Sequence, residues 1–161
     1  MGMQYDVKSA HMSASGVAVG YRTRLKGVVL SPSASQTLNV LFCDNISLSG
    51  TYDVPGSTVC TVTIANHGLS NGDRVYLHFT SGSSSDNAYT VSNVATNTFT
   101  VTVASATTSG DVTMYAVILV ELDCASATAF YTLIPGEGVL AEEGIYVGLP
   151  SSTVTTTLFY G

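Results

Sequence analysis

Tryptophan is missing from this chain of 161 residues, and charge is scarce, with Asp, Glu, Lys and Arg together making up 10%. Five basic residues against eleven acidic ones leave a net charge of −6. That balance excludes a general nucleic-acid binder, which needs a cationic surface to displace counterions from phosphates. Cysteine is limited to Cys43, Cys60 and Cys124, an odd number without CxxC spacing. A zinc ribbon and a disulfide framework are therefore not expected, and free buried thiols acting as small hydrophobes are. Such thiols suit assembly in a reducing cytoplasm. No apolar run approaches the roughly 18 residues of a membrane helix. The start, MGMQYDVKSAHM, has no apolar segment of the kind a signal peptide carries, so neither membrane insertion nor secretion is expected.

Hydrophobic residues supply 45% of the chain, and Ser with Thr supply roughly a quarter, above ordinary usage. The polar positions are thus hydroxyls rather than charges, as on the outer faces of β-strands. A surface this poor in charge also suits a protein partly covered by neighbours, since free monomers carry more charge for solubility. The hydrophobic period is two. Val75, Leu77 and Phe79 alternate with Tyr76 and His78, and Phe99, Val101 and Val103 alternate with threonines. Alternation of this kind predicts antiparallel strands with one apolar face. The nearest helix candidate, residues 138–147, is broken by glycines and ends β-branched, which argues against it. The expected class is all-β, an antiparallel β-sandwich core with a small inserted β-barrel domain and an N-terminal arm.

Residues 1–19 lack a clean period and form an arm, held by its own chain or by a neighbouring subunit. Residues 20–53 and 116–161 form the sandwich. Its strands are Leu25–Leu30, Thr37–Cys43, Val117–Leu122, Ala129–Ile134, Gly144–Gly148 and Val154–Tyr160. Asp44–Gly56 and Tyr115–Ala116 serve as crossings, and the run Val117-Ile118-Leu119-Val120 belongs in the middle of the sandwich or against a neighbour. Residues 54–115 form the insertion, with strands at Thr58–Ala65, Arg74–Thr80, Ala88–Val94 and Thr98–Val103 and a last one from about Asp111. One continuous sandwich with long hairpins is the alternative.

The phrases HGLSNGDRVYL, NAYTVSNV and NTFTVT lie in the insertion. They resemble a small β-barrel module inserted in many phage structural proteins, often compared with the first catalytic-cysteine half-domain (FCCH-type) of ubiquitin-activating enzyme. The resemblance implies that HGL-x-x-GD is structural, with turns at Gly68 and Gly72 and a brace from Asp73. It implies no ubiquitin chemistry, because fold does not imply function. The ends of the chain carry a second resemblance. Tyr21-Arg22-Thr23-Arg24-Leu25-Lys26-Gly27-Val28-Val29, Ile134-Pro135-Gly136-Glu137-Gly138 and the closing Leu158-Phe159-Tyr160-Gly161 resemble small virion structural proteins of tailed, mostly marine, bacteriophages.

Chemistry is hard to place on this sequence. His11, His67 and His78 have no metal-ligand spacing, no nucleophile elbow or P-loop is present, and Ser83–Asp86 lies in a low-complexity turn. Glu137, Glu142 and Glu143 sit among glycines and read as turn and strand-end residues rather than a glycosidase pair. Tyr76, Tyr89 and Tyr115 are candidates for a small surface patch. No catalytic residue, cofactor or metal is expected. Four of the five basic residues precede residue 27. Alternation puts Arg22, Arg24 and Lys26 on one strand face, where cations in a row need carboxylates opposite them. Those carboxylates are internal, from Glu121 or Asp123, or belong to an acidic partner. Arg22, Arg24 and Lys26, with Phe159 and Tyr160 of the aromatic end, are the candidate partner-contact residues.

The resemblance implies a non-enzymatic virion protein, most narrowly a capsid decoration or cement protein assembled in the host bacterial cytoplasm. Its implied partners are the major capsid protein or other virion subunits, with no nucleic acid and no membrane. A homo-oligomer, dimer or trimer, is also expected, with the C-terminal strand or N-terminal arm at the contact. The alternatives are a tail-associated adaptor, fibre or receptor-binding component and, last, a glycan-acting enzyme fragment.

Overall fold

The computed structural model of the chain describes residues 7–35, 39–124, 126–150 and 152–161. Among the described residues the regular structure is β throughout, and each strand register they define is antiparallel. The strands are β1 (Lys8–Met12), β2 (Gly16–Val19), β3 (Thr23–Pro32), β4 (Val40–Asp44), β5 (Ser47–Thr63), β6 (Arg74–Phe79) and β7 (Asn87–Thr90). They continue with β8 (Thr98–Tyr115), β9 (Ile118–Leu122), β10 (Phe130–Leu133), β11 (Val139–Ala141), β12 (Ile145–Gly148) and β13 (Val154–Tyr160). The chain divides into two compact units, Met1–Ile46 with Leu119–Gly161, and Ser47–Ile118.

The first unit is a sandwich of two sheets. One has the order β1-β13-β3-β10, with β11 also on β3, and the other β2-β12-β4-β9. Strand alternation sends Leu25, Val28, Leu30, Val154 and Leu158 of the first sheet inward. There they meet Val19, Val40, Phe42, Ile145 and Val147 of the second. The alternation slips once on β3. Phe159 faces Gly27 but Tyr160 faces Leu25, so Lys26 is an extra residue, the signature of a β-bulge.

The described part of the arm is regular strand, and of its two expected holders the one observed is its own chain: β1 pairs with β13 and β2 with β12. The expected strand Thr37–Cys43 is observed as Val40–Asp44, and its start, Thr37, lies outside the described residues. β9 is not central: it ends its sheet, and every one of its residues is partly exposed.

In the second unit the order is β5-β8-β6-β7. Asp44–Gly56 is not a crossing, because residues from Ser47 onward are already paired to β8. The two expected strands after Thr98 are likewise one strand of 18 residues. Most of the Ala/Ser/Thr/Gly stretch 104–110 is held extended by β5, which pairs with residues 106–110, and the register slips around Gly56 leave 103–105 as the excess. Gly56 has φ 77°, a left-handed geometry that suits glycine. β5 bends so far that Gly50 lies against Thr63 and Ile64 near its own other end. A glycine is required there, since a Cβ would overlap the Thr63 carbonyl. The sheet curls around Val54, Val62, Val75, Leu77, Phe99 and Met114.

The HGL loop is braced from within. Gly68 and Gly72 hold positive φ of 68° and 94°, and Asp73 Oδ2 accepts the Ser70 N–H at 2.8 Å. His67 is buried, its Nδ1 accepts the Leu69 N–H at 3.1 Å, and its ring stands edge-to-face with Phe99.

Candidate functional site

The candidate contact residues gather on neighbouring strands of the first sheet, because β13 pairs with β3 from Pro32 to Leu25. They do not share a face. Thr23 and Leu25 are buried while Arg24 and Lys26 are partly exposed, as the alternation requires. Phe159 lies on the outer face with Lys26, lining one groove, whereas Tyr160 belongs to the core side and to a separate recess.

The cations differ in what they touch. Arg22 Nε donates to Glu142 Oε2 at 2.7 Å, and this hydrogen bond, with the carboxylate's charge, raises the already high Arg22 pKa. Arg24 lies 3.7 Å from Glu137 Oε2 and donates to the Gly138 carbonyl at 3.3 Å. The carboxylates opposite are therefore Glu142 and Glu137, not Glu121 or Asp123. Glu121 instead accepts from Asn39 Nδ2 at 2.7 Å. The reason is topological: β11 and its flanking turns lie along the first half of β3. Lys26 makes no ion pair among the described residues.

Around Lys26 the outer face is apolar. A groove of about 380 Å³ is lined by Val7, Lys26, Val29, Tyr131, Leu133 and Phe159, together with Ile134 and Gly136 of the following turn. Tyr131 and Phe159 pack edge-to-face, 6.2 Å between centroids. Tyr131 is 56%, Val7 57% and Leu133 65% exposed, unusual values for large apolar side chains drawn from one patch. Gly27 leaves room for the Tyr131 ring, whose hydroxyl would sit 3.1 Å from a Cβ there. Beside it, a recess of about 210 Å³ is lined by Lys8, Tyr21, Arg22, Thr23, Tyr160 and Gly161. Lys8 Nζ stands 5.6 Å over the Tyr21 ring, within cation–π range. Hydrogen bonding to Tyr21 pushes the Tyr160 phenol up.

Elsewhere the polar groups brace loops. His78 Nδ1 and Asp86 Oδ2 are 2.5 Å apart, and Asp86 Oδ1 accepts the Phe79 N–H at 2.7 Å. His78 is thus tied to the Ser/Gly loop. Tyr76 and Tyr115 are buried, and Tyr89 is partly buried with its hydroxyl on the Ser85 carbonyl, so the three form no surface patch. Asp44 is 2% exposed and accepts the N–H groups of Glu142 and Glu143 at 2.8 and 2.9 Å. It fixes the turn that presents Glu142 to Arg22. Among the described residues no group of three His, Cys, Asp or Glu could hold a metal ion.

Residue-pattern reasoning missed Val7, Val29, Tyr131 and Leu133. The available signal was Phe130-Tyr131-Thr132-Leu133, a strand with large apolar groups on both faces. A scan against protein-family models and searches of curated proteins and of solved structures find no match to this chain.

Proposed function

We propose that this chain is a non-enzymatic structural protein of a tailed-phage particle, a decoration or cement protein that binds the outer shell and stabilises it. The observation that carries the reading is the apolar outer face of the first sheet, a groove of about 380 Å³ with the Lys26 ammonium among its lining. A sandwich needs only its inner faces apolar to fold. An apolar patch left on the outside marks a contact surface. The low charge of the chain, 10% of residues, supports the same reading, since a surface covered by neighbours needs fewer charges for solubility. The named partner, the major capsid protein or another virion subunit, follows from the resemblance of the chain ends to phage virion proteins.

The test is to purify particles of the virus that encodes the chain and count its copies by quantitative mass spectrometry. A shell protein is expected in hundreds of copies. A handful of copies would move it to the tail, and absence from the particle would overturn the reading.

A further inference from the structure

We infer that β10 is an open docking edge that accepts one extended strand from a virion partner, with apolar side chains at alternate positions and a carboxylate for Lys26. This rests on the reading of the outer face as a contact surface, and it specifies what the partner must look like.

β10 pairs with β3 through Phe130↔Leu30, Tyr131↔Val29, Thr132↔Val28 and Leu133↔Gly27. The Ile134 N–H donates to the Lys26 carbonyl at 3.0 Å. In an antiparallel ladder, hydrogen-bonded and non-hydrogen-bonded pairs alternate. Counting back from Ile134, Thr132 and Phe130 bond to β3. The N–H and C=O groups of Tyr131 and Leu133 then point the other way, to the side where the sheet order ends. Those groups form a template for strand addition.

The side chains agree. Natural sheet edges are protected by charges, prolines or bulges. The opposite edge of this sheet, β1, carries Lys8 and His11. β10 reads FYTL; it is short, four residues, but carries no charge, proline or bulge. Its two outward-facing residues, Tyr131 and Leu133, are the same two whose backbone groups are open. An added strand would lay its alternate side chains against them and continue the apolar groove.

Charge specifies the partner further. Arg22 and Arg24 face Glu142 and Glu137, while Lys26 in the groove faces no carboxylate among the described residues. Lys26 lies two strand spacings from an added strand, roughly 9.6 Å, a gap that Lys and Glu side chains bridge together. Lys26 is level with Ile134, at the C-terminal end of β10. In an antiparallel partner the carboxylate therefore precedes the apolar residues. A second copy of this chain is the weaker fit, since two bodies of net charge −6 repel.

The experiment has two arms. The first needs no particle. It follows amide hydrogen exchange of the full chain by NMR with the probe acetyl-Glu-Thr-Val-Thr-Val-Thr-amide. The Tyr131 and Leu133 amides are expected to become protected, saturating by about 1 mM probe. A probe with Lys in place of Glu is expected to bind at least about threefold more weakly. Leu133→Pro removes only an outward N–H, so it should abolish protection while the Thr132 and Ile134 amides stay bonded to β3. Leu133→Val should retain binding. Unprotected Tyr131 and Leu133 amides at saturating probe would overturn the inference. So would a dimer in sedimentation that Leu133→Pro dissociates, because the occupant would then be a second copy.

The second arm measures occupancy on particles stripped of the native chain. Leu133→Pro should lower it at least about tenfold relative to Leu133→Val. Equal occupancy of the two variants would overturn the inference. If the wild-type chain binds the probe but no particle, the virion reading fails and the docking edge stands.

Discussion

Replacing Asp44 with alanine should unfold the first unit at much lower stress, and the magnitude follows from two hydrogen bonds. Asp44 is 2% exposed, and its two carboxylate oxygens accept the Glu142 and Glu143 N–H groups at 2.8 and 2.9 Å. A hydrogen bond to a charged group contributes about 1.5–3 kcal/mol. The lower figure applies to each bond here, because Glu142 and Glu143 are exposed and water can reach the vacated amides. The expected loss for Asp44→Ala is therefore about 3 kcal/mol. Asp44→Asn keeps one acceptor oxygen but turns an NH₂ group toward the second amide, so it should lose about 2 kcal/mol. In a chain of this size 1 kcal/mol moves the midpoint by about 2–4 °C, which places the alanine variant about 6–12 °C below wild type. Urea unfolding followed by circular dichroism gives the free energies. If the two units unfold separately, only the transition of the first unit should move. A loss below about 1 kcal/mol for Asp44→Ala would refute the reasoning, since it would mean that the turn holds without its carboxylate.

Two further outcomes test the packing. Gly50→Ala should destabilise the second unit by roughly 3 kcal/mol, because its Cβ would overlap the Thr63 carbonyl and lie 2.6 Å from Ile64 Cγ1. Gly20→Ala, where nothing lies within 4 Å, should stay within about 0.5 kcal/mol in the same denaturation assay. Burial pushes the Cys43 thiol from 9.0 to about 12 and the Cys60 thiol from 9.0 to about 11. Between those values the unfolded chain has lost protons that the folded chain keeps, so stability should fall as pH rises above 9. The slope is at most about 1.4 kcal/mol per pH unit for each thiol. Cys43→Ala should flatten the pH profile above 9 whatever its effect at neutral pH, and an unchanged slope would contradict this.

Much of the fold was legible from alternation because its strands obey it. Val75, Leu77 and Phe79 do point one way, and Val154–Tyr160 is observed with the bounds its pattern gives. The strand boundaries that failed did so where pairing overrides local pattern. The stretch from Ala106 to Gly110 has no strand-like alternation of its own, yet it is strand because β5 pairs with it. The two strands of the arm escaped notice for a related reason: Ala10 and Met12 are apolar toward the core, but strands of five and four residues are too short for a period to stand out. At the candidate site, the cations on β3 and just before it were legible and their partners were not. Arg22 is 120 residues from Glu142, and only the placement of β11 beside β3 decides that pairing. Asp44 was invisible because its two partners are backbone amides, which carry no side-chain signature.

The aromatic end of the chain changes its meaning in this light. Phe159 and Tyr160 suggested a contact strand, yet β13 is paired on both sides, with β1 and with β3. From Thr156 to Tyr160, where it is paired on both sides, the strand has no backbone groups left to offer and cannot accept another strand. Its contribution to contact is confined to side chains, and of the pair only Phe159 lines the outer groove. The free hydrogen-bonding capacity of this sheet lies at its ends, and of those ends β10 combines open amides with exposed Tyr131 and Leu133. Residues 154–160 thus tie β1 to β3, and β10 is left as the end of the sheet order beyond β3. Along that strand Arg22, just before β3, and Arg24, within it, face Glu142 and Glu137, whereas Lys26, at the bulge, lines the groove beside Phe159.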